Sequence, residues 1–468
     1  MNIIIVGSGK VGSHIAEQLV REKHDVTIID HNEEILRKLA ETLDIMTIKG
    51  NGISSTILAE AGVKDADLII AATSSDEVNM VCCLTAKKMG AKYSIARIRT
   101  PEYTDSIVEI KENLEIDMII NPESVTAVEI SRLLRFPSAT NIDTFCRGRV
   151  ELMGLRLQEG DFIIGKSLMN LPDAVKKLQL LFCVADRNGD VCIPKGTFVP
   201  QAGDKLYLIG RPSSFDKFFK MLGRYTPKVK KVFVIGGGKV GNYLFEQLTK
   251  MKIGLKVIER KEAQCLYVSE HFPEAMVING DGSDQELLDS ENLSSYDAFV
   301  ALTDRDEDNL IISLYASQHG INKVVTKCNK QNYVSLAHSI GLDSVVSPKM
   351  ITAALILHRV RGMQNSQGSV MNSLHQIAEG EAEAIEFTVT EHTKHKHKPL
   401  KSLKIKPNIL LAVIVRGKEI IIPEGSSYMQ EGDSVIIVNR GDAVLDINDI
   451  FVEEVSYVMV PEELAHEL

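Results

Sequence analysis

The stretch that decides the fold is IIIVGSGKVGSHI at residues 3–15, which returns as VFVIGGGKVGNYL at residues 232–244. In both stretches an apolar run is followed by glycines at G-x-G-x-x-G spacing and then by a helix-like pattern. In such a turn the first glycine permits a sharp bend, the second lets a phosphate approach the backbone, and the third lets helix and strand pack closely. Each stretch therefore predicts the strand, turn and helix that open a dinucleotide-binding fold.

The two halves of the chain match well beyond these glycines. Gly7, Gly9 and Gly12 return as Gly236, Gly238 and Gly241, and Asp30 returns as Glu259 at the same spacing. Self-similarity over such a length indicates a duplicated unit. The other matched pairs are GNG at 50–52 with GDG at 280–282, LIIAATSSDEVN at 68–79 with AFVALTDRDEDN at 298–309, and NPESVTAVEISRLLR at 121–135 with SPKMITAALILHRVR at 347–361.

Each half has two parts of different character. The first part alternates short apolar strands with amphipathic helices, which is typical of a parallel sheet covered on both faces. The second part is rich in short strands, and Asn188-Gly189 is a hairpin signal. We predict an α/β chain of two Rossmann-like, doubly wound parallel-sheet domains, each followed by a small α+β, β-rich lobe. The predicted boundaries are 1–138 and 139–223 for the first domain and lobe, 229–364 and 365–455 for the second pair, and 456–468 for a C-terminal tail.

A helix is predicted between the two parts of each half. In the first half Ala127, Ile130, Leu133 and Leu134 recur at helical spacing and form an apolar stripe. In the second half residues 353–357 are all apolar, which is more than one buried face needs. Two interpretations remain open: ordinary core packing, or a crossover helix that packs on a partner subunit.

The composition of the chain excludes several classes of protein. A net charge of −10 over 468 residues argues against a general nucleic-acid or anionic-lipid binder. No apolar run approaches the roughly 18 residues of a membrane span. Seven cysteines without a C-x-x-C pair suggest reduced thiols in a cytosol, with Cys82 and Cys83 in the core.

Polar residues at the ends of the predicted strands outline a ligand site in each half. Asp30 is placed to accept hydrogen bonds from an adenosine ribose and to repel a 2′-phosphate. Asn51, Thr73 and Ser74 follow later strands, and Arg97 and Arg99 provide permanent positive charges for phosphates unless they lie on a solvated sheet edge. In the second half Glu259 stands beside Arg260 and Lys261, and Lys327 is the single cation at the position of Arg97.

An NAD-dependent oxidoreductase is the alternative, and the sequence offers little for it. Such enzymes join a cofactor domain to a substrate domain with an acid–base group. There is no Y-x-x-x-K, no lobe outside the repeat and no G-x-x-x-x-G-K-[ST] loop. A redox repressor would need a basic DNA-reading segment, and none is visible. We expect no catalytic residue and no metal site; the histidines considered and set aside as surface, structural or loop residues are His14, His24, His31, His392, His395 and His397.

The sequence resembles the TrkA family of cytosolic potassium-uptake regulators, in which two RCK (KTN/TrkA-N) nucleotide-binding domains are each followed by a TrkA-C domain. The resemblance covers essentially the whole chain, and the doubled arrangement is its most specific feature. The segments that carry it are IIIVGSGKVGSHIAEQL, DVTIID, GNG, DLIIAATSSDEVNMV, IARIRTPEY and NPESVTAVEISRLLRFP.

The resemblance implies a function and a set of site residues. It implies binding of NAD(H), and in some members ATP or ADP, by a subunit that regulates an integral-membrane potassium channel or transporter of Trk type. It implies a homo-oligomeric ring, expected to be a tetramer, peripheral to the inner face of the plasma membrane, without nucleic acid and without direct membrane insertion. The implied first site is Gly7, Ser8, Gly9, Lys10, Val11, Gly12, Asp30, Asn51, Thr73, Ser74 and Arg97. The implied second site is Gly236, Gly237, Gly238, Lys239, Val240, Glu259, Asp281, Leu302, Thr303 and Lys327, and its Glu and Lys replacements leave its ligand open.

Overall fold

The protein is described here by a computed structural model covering residues 1–100, 103, 107–224, 228–364 and 369–452. The predicted C-terminal tail, residues 456–468, lies outside the described residues. Among the helices of these ranges, none is long and apolar enough to cross a membrane.

The first half opens with a six-stranded parallel sheet in the order β3-β2-β1-β4-β5-β6. This is the order of a dinucleotide-binding Rossmann sheet. Its strands are β1 (Asn2–Val6), β2 (Asp25–Asp30), β3 (Met46–Lys49), β4 (Leu68–Ala71), β5 (Tyr93–Arg97) and β6 (Met118–Ile120). Its helices are α1 (Lys10–Arg21), α2 (Glu33–Thr42), α3 (Ser55–Glu60), α4 (Asp76–Met89), α5 (Ile107–Asn113) and α6 (Pro122–Arg135).

A five-stranded antiparallel lobe follows, in the order β10-β9-β11-β8-β7. We call it lobe 1. It contains the Asn188-Gly189 turn, where both residues have positive φ, between two of its strands. Its elements are β7 (Asn141–Phe145), β8 (Val150–Arg156), α7 (Asp173–Lys176), β9 (Leu181–Arg187), β10 (Asp190–Cys192), β11 (Lys205–Gly210) and α8 (Pro212–Met221).

The second half repeats this architecture. Its parallel sheet has the order β14-β13-β12-β15-β16-β17, and its lobe, lobe 2, has the order β18-β19-β22-β20-β21. The parallel strands are β12 (Lys231–Ile235), β13 (Gly254–Glu259), β14 (Met276–Asn279), β15 (Ala298–Ala301), β16 (Lys323–Lys327) and β17 (Ser344–Val346). The helices are α9 (Lys239–Lys250), α10 (Glu262–His271), α11 (Gln285–Ser290), α12 (Asp306–Gln318), α13 (Gln331–Ser339) and α14 (Pro348–Gln364). Lobe 2 has β18 (Val370–Ile377), β19 (Ala382–Thr388), β20 (Ile409–Arg416), β21 (Glu419–Ile421) and β22 (Ser434–Asn439).

The predicted fold class is confirmed. The central strands are buried along nearly their whole length, as expected for a sheet with helices on both faces. Cys82 and Cys83 are fully buried in the core, also as predicted.

The helix that ends each parallel-sheet domain packs on the other half of the same chain. In the first half α6 lies against α9, so that Ile130 and Leu134 share a core with Leu244. In the second half α14 lies against α1, where Ile356 shares a core with Ile15. The structure therefore agrees with the core-packing interpretation and adds that the core covering each helix comes from the other half of the same polypeptide.

Each lobe packs against the parallel sheet of the opposite half, as the crossover helix before it does. The core of lobe 1 is continuous with that of the second parallel sheet, and the core of lobe 2 with that of the first. The two lobes also share an apolar core with each other. Each half thus completes its hydrophobic core with segments of the other.

Buried charges reinforce this exchange. Arg361 of α14 is 2% exposed and forms ion pairs with Glu22, at the end of α1, and with Glu383 of lobe 2. The ammonium of Lys323 in β16 donates to the Ala139 carbonyl at 2.6 Å, just before lobe 1. Removing one partner of a buried ion pair such as that of Arg361 and Glu383 typically costs about 3–5 kcal/mol, because the other charge is left uncompensated.

Separated halves test the exchange. Expressed alone, residues 1–224 and 229–468 should not give folded monomers, because α1 and α9 would each lose the helix that covers them. Co-expressed, the two pieces should purify as a stable one-to-one complex, measured by size-exclusion chromatography with light scattering. A full chain cut at a protease site inserted after residue 224 is the control and should stay together. A folded, cooperatively melting monomer of the first piece alone would contradict the exchange.

Candidate functional site

The first glycine turn is held by its own backbone and by Asp30. Gly7 has a φ of +103°, a left-handed conformation that glycine adopts without strain. A Cβ on Gly12 would lie 1.9 Å from the Gly7 carbonyl oxygen, so only glycine fits there. The backbone N–H and the hydroxyl of Ser8 donate to Asp30 at 2.6 and 2.7 Å. The turn is therefore fixed to the end of β2.

Asp30 is kept as a carboxylate. Its partial burial favours the neutral form, but the hydrogen bonds from Ser8 and from the Asn32 N–H outweigh this and lower the pKa of Asp30. Asp30 lines the cleft beside the glycine turn. It stands where the carboxylate of a dinucleotide-binding fold receives the ribose hydroxyls of the ligand.

The first cleft has a volume of about 560 Å³. This lies within the usual 300–1,000 Å³ range of small-molecule sites. Arg99 also lines it. Of the residues implied for the first site, Ser8, Lys10, Val11 and Gly12 do not line it. Those that do are Gly7, Gly9, Asp30, Asn51, Thr73, Ser74 and Arg97.

Two buried residues of α4 that the sequence analysis did not select organise the cleft. The Asn79 side chain accepts from the Thr73 N–H and hydroxyl, and it donates to the Arg97 carbonyl at 2.8 Å. Asp76 accepts from the backbone N–H groups of Arg99 and Thr100. These two side chains join the ends of β4 and β5. Their recurrence in both copies, in SSDEVN and DRDEDN, was the signal that could have found them.

The second half repeats this network. Asn309 accepts from the Thr303 N–H and donates to the Lys327 carbonyl, and Asp306 accepts from the N–H groups of Asn329 and Lys330. The scaffold that positions the strand ends is therefore the same in both copies.

The second cleft is smaller, at about 230 Å³. The amide of Gln264 donates to the Gly237 carbonyl at 2.6 Å and lies beside the glycine turn, where the first half has Ile35. Glu259 accepts from the N–H groups of Gly237 and Lys261 at 2.8 Å each. Of the residues implied for the second site, those that line this cleft are Gly236, Gly238, Glu259, Asp281, Leu302 and Thr303.

The four cations implied for the two sites all face a space between the halves. Lys10, Arg97, Arg99, Lys239, Lys327 and Lys349 line a chamber of about 550 Å³, together with the acidic Glu123 and Asp304. Lys327 is therefore not in the second cleft; it is buried, its ammonium donates to the Leu302 carbonyl at 3.2 Å, and burial lowers its pKa. Val11 and Val240 also line the chamber.

Four helices begin at this chamber. Residues from the first turns of α1, α6, α9 and α14 line it, and each helix has at least 12 residues. The N-terminus of a helix carries a partial positive charge, so the helices add to the positive field of the six cations. The chamber is consequently suited to an anion.

The chamber adjoins both clefts and lies between the halves. It shares the lining residues Gly238, Gln264, Leu302 and Asp304 with the second cleft. Arg97 and Arg99 line both the chamber and the first cleft. The Arg97 guanidinium pairs with Glu123 at 3.3 Å. Hydrogen bonds also join the two halves: the Tyr243 hydroxyl of α9 donates to the Arg99 carbonyl at 3.2 Å and accepts from the Asn121 amide at 2.8 Å. Arg97 and Arg99 therefore lie where the two halves meet.

The histidines that the sequence analysis set aside do not line the chamber. His24 is buried, and burial lowers its pKa to about 4. His31 is exposed at the rim of the first cleft, beside Asp30. His395 and His397 contact Phe451 and Tyr428 in lobe 2. Within the described part of the chain no group of three or more His, Cys, Asp or Glu side chains could hold a metal ion.

Comparison with known proteins places this architecture in a family. The TrkA-N domain matches residues 3–122 and 232–348, and the TrkA-C domain matches residues 384–452. Lobe 1 has the same strand order as the matched lobe 2, read from the opposite edge of the sheet.

Two solved structures share the fold over most of the chain. The GsuK RCK domain aligns with a TM-score of 0.61 at 17% identity, covering 94% of this chain and 92% of that one. The GsuK channel bound to NAD aligns with a TM-score of 0.60 at 18% identity, covering 94% of this chain and 76% of that one.

Full-length relatives carry a single name. The Trk system potassium uptake protein TrkA homolog 1 of Methanosarcina mazei is 35% identical, over 96% of this chain and 100% of its own length. The Trk system potassium uptake protein TrkA of Halomonas elongata is 32% identical, over 93% of this chain and 95% of its own. With its duplicated TrkA-N domains and this similarity from end to end, the chain belongs to the TrkA family of Trk system potassium uptake proteins.

Proposed function

We propose that the protein is the cytosolic, nucleotide-sensing regulatory subunit of a Trk-type potassium uptake system. The observation that carries the proposal is that Arg97 and Arg99 line both the first cleft and the chamber between the halves. A nucleotide in that cleft would place its phosphates near the residues of the second half that line the chamber. Membership of the TrkA family supplies the potassium uptake system as the context.

The proposed ligand is NAD(H), with ATP or ADP as the further candidates. An adenosine with its ribose at Asp30 and its phosphates at the glycine turn is common to all of them. The structural neighbours support this choice, since one is a GsuK channel bound to NAD and another is GsuK bound to ADP. Asp30 would disfavour a 2′-phosphorylated cofactor by charge repulsion.

The two sites are proposed to differ. In the first, the residues Gly7, Gly9, Asp30, Asn51, Thr73, Ser74 and Arg97 would contact the ligand, while Ser8 and Gly12 shape the turn. In the second, the smaller cleft and the Gln264 side chain leave less room. Lys10, Lys239 and Lys327 would meet phosphates in the chamber. We therefore expect tighter nucleotide binding in the first cleft.

The ligand would act on the arrangement of the two halves. It can shift a conformational equilibrium only by its difference in affinity for the two states. A tenfold difference shifts the equilibrium by about 1.4 kcal/mol per site, and equivalent sites in a ring add. A homo-oligomeric ring, a tetramer in this proposal, would pass that bias to the integral-membrane potassium subunit on which the protein docks at the inner face of the plasma membrane.

Alanine at the second glycine of each turn tests which cleft binds nucleotide. Gly9 and Gly238 have no heavy atom within 4 Å of an added Cβ, and both have a φ near −68° that alanine accepts. Gly9→Ala should keep the melting temperature of the wild type yet weaken NADH and ATP binding at least tenfold by calorimetry, because the methyl group blocks phosphate approach. Gly238→Ala should reduce only the weaker binding event.

Gly12→Ala is the matched control for folding. Its methyl group would collide with the Gly7 carbonyl, so this variant should lose several degrees of melting temperature. Unchanged nucleotide affinity in Gly9→Ala would remove the first cleft as the site. Steady oxidation of NADH by any member of a panel of aldehydes and oxo acids would favour the oxidoreductase alternative.

Substitution of Arg97 tests the contact with phosphates. Arg97→Ala should weaken ATP and NADH binding about tenfold or more, since a charge-assisted hydrogen bond is removed, while adenosine binding changes little. The exposed Arg37 of α2 provides the control, and Arg37→Ala should bind all three ligands as the wild type does. Equal loss of adenosine affinity in Arg97→Ala would show that the residue maintains the cleft and does not bind phosphates.

A further inference from the structure

A basic segment of lobe 2, between β19 and β20, takes no part in either cleft or in the chamber. Residues 394–406 contain six lysines and two histidines but no carboxylate, in a chain whose net charge is −10. We call this segment the lysine strip. Lys396 lies 3.9 Å from Glu431. The other five lysines are exposed and form no ion pair within the described residues: Lys394, Lys398, Lys401, Lys404 and Lys406.

The fold of the lobe does not require these lysines. The N–H of Met169 in lobe 1 makes the same backbone hydrogen bond as the N–H of Lys401 in lobe 2, each to a glycine carbonyl across the loop. This match aligns the lysine strip with residues 162–174, which contain a single lysine, Lys166. A loop that follows the same path with one lysine has no structural need of six. The additional charges therefore indicate a surface for a negatively charged partner.

The last described residues lie between the two ends of the lysine strip. The ring of Phe451 packs edge-on against that of His395, with 4.7 Å between the ring centres. The N–H of Val452 donates to the Lys404 carbonyl at 2.9 Å. The neighbouring carboxylates of Asp446 and Asp449 accept backbone N–H groups of their own turn in a capping box. The chain therefore passes residue 452 among lysines that have no carboxylate partner in the described ranges.

The sequence that follows has the opposite charge. Residues 453–468 contain five glutamates and neither lysine nor arginine. Two of these glutamates, Glu453 and Glu454, come directly after Val452 in the sequence. A segment of 16 residues can span about 50 Å when extended, which is more than the 13 residues of the lysine strip can span. The segment is thus long enough to reach every lysine of the strip.

We propose that residues 453–468 lie on the lysine strip of their own chain and cover it, with their glutamates paired to its exposed lysines. A single exposed ion pair contributes little. Here several pairs form together, and the segment is tethered beside them, which raises its effective concentration at the strip. Salt screens exposed charges, so the cover opens as the ionic strength rises. The protein then has an anion-binding surface that its own acidic segment keeps closed.

Carbodiimide cross-linking of the full-length protein, read by mass spectrometry, tests the contact. The reagent joins a carboxylate to an amine where the two are already close together. Peptides from residues 453–468 should be found joined to peptides that contain Lys398, Lys401, Lys404 or Lys406. The absence of every such product would overturn the proposal.

Two co-expressed chains decide whether the contact lies within one chain. One chain has the five glutamates of residues 453–468 replaced by glutamine, and the other has the six lysines of the strip replaced by glutamine. A contact within one chain gives no cross-linked product from this pair. A product would assign the strip to the acidic segment of a second copy and would contradict the proposal.

Acetylation rates of the lysines measure the cover itself. In the wild type the exposed strip lysines should react with acetic anhydride about fivefold or more slowly than the exposed Lys166 of lobe 1, because several ion pairs hold them. Glutamine at all five glutamates of residues 453–468 should raise their rates to that of Lys166, and molar salt should do the same in the wild type. A control variant neutralises five exposed glutamates elsewhere and should keep the wild-type rates: Glu60→Gln, Glu112→Gln, Glu159→Gln, Glu270→Gln and Glu274→Gln.

Three results of the acetylation experiment would overturn the proposal. Equal rates for the strip lysines and Lys166 in the wild type would show an uncovered strip. Slow rates that persist in the five-glutamine variant would show that another part of the protein gives the protection. Slow rates that arise only after addition of vesicles of phosphatidylcholine and phosphatidylglycerol would assign the strip to a membrane surface. None of these results depends on nucleotide binding, since no residue of the strip lines a cleft or the chamber.

Discussion

The structure depends on one packing constraint: each parallel sheet covers only one face of its own first helix, α1 or α9. The face of α1 and of α9 that points away from its own sheet is also apolar. The crossover helix of the opposite half buries it. Burial of apolar surface is the main favourable term in folding, so the two halves have to associate to complete their cores. The buried Arg361, which pairs with Glu22 and Glu383, then fixes the partners in register. Duplication within one chain makes this association intramolecular.

The exchange also creates the chamber. Because α6 and α14 cross to the other half, their N-termini arrive beside those of α1 and α9, and the glycine turns of the two copies come to face one space. Six cations concentrate there against two carboxylates. Their positive field favours an anion, and burial lowers the pKa of Lys327 among them. In the proposed function, an anion bound in this chamber would contact both copies and could shift their arrangement.

Much of this could be predicted from the sequence. The parallel-sheet fold class, the glycine turns and the places of Asp30, Thr73 and Arg97 at or after strand ends follow from local patterns along the chain. The packing of α6 and α14 on the opposite half could not be predicted from local patterns. The stripe of Ile130 and Leu134 shows that a helix is buried, but it carries no information on which surface covers it. The place of Lys327 in the chamber depends on side-chain packing and could not be predicted from its position after a strand. The narrowing of the second cleft by Gln264 also depends on packing, and the identity of this residue alone does not reveal it.

The central claim is that occupancy of the first cleft changes the relation between the halves. The most direct test is a distance measurement by pulsed electron paramagnetic resonance between spin labels at Ala40 on the first half and Glu270 on the second, both exposed positions. Saturating ATP or NADH should shift the distance distribution of the wild type. Saturating adenosine should leave the distance distribution of the Arg97→Ala variant unshifted. A wild-type distribution that stays the same while calorimetry shows the nucleotide fully bound would contradict the account.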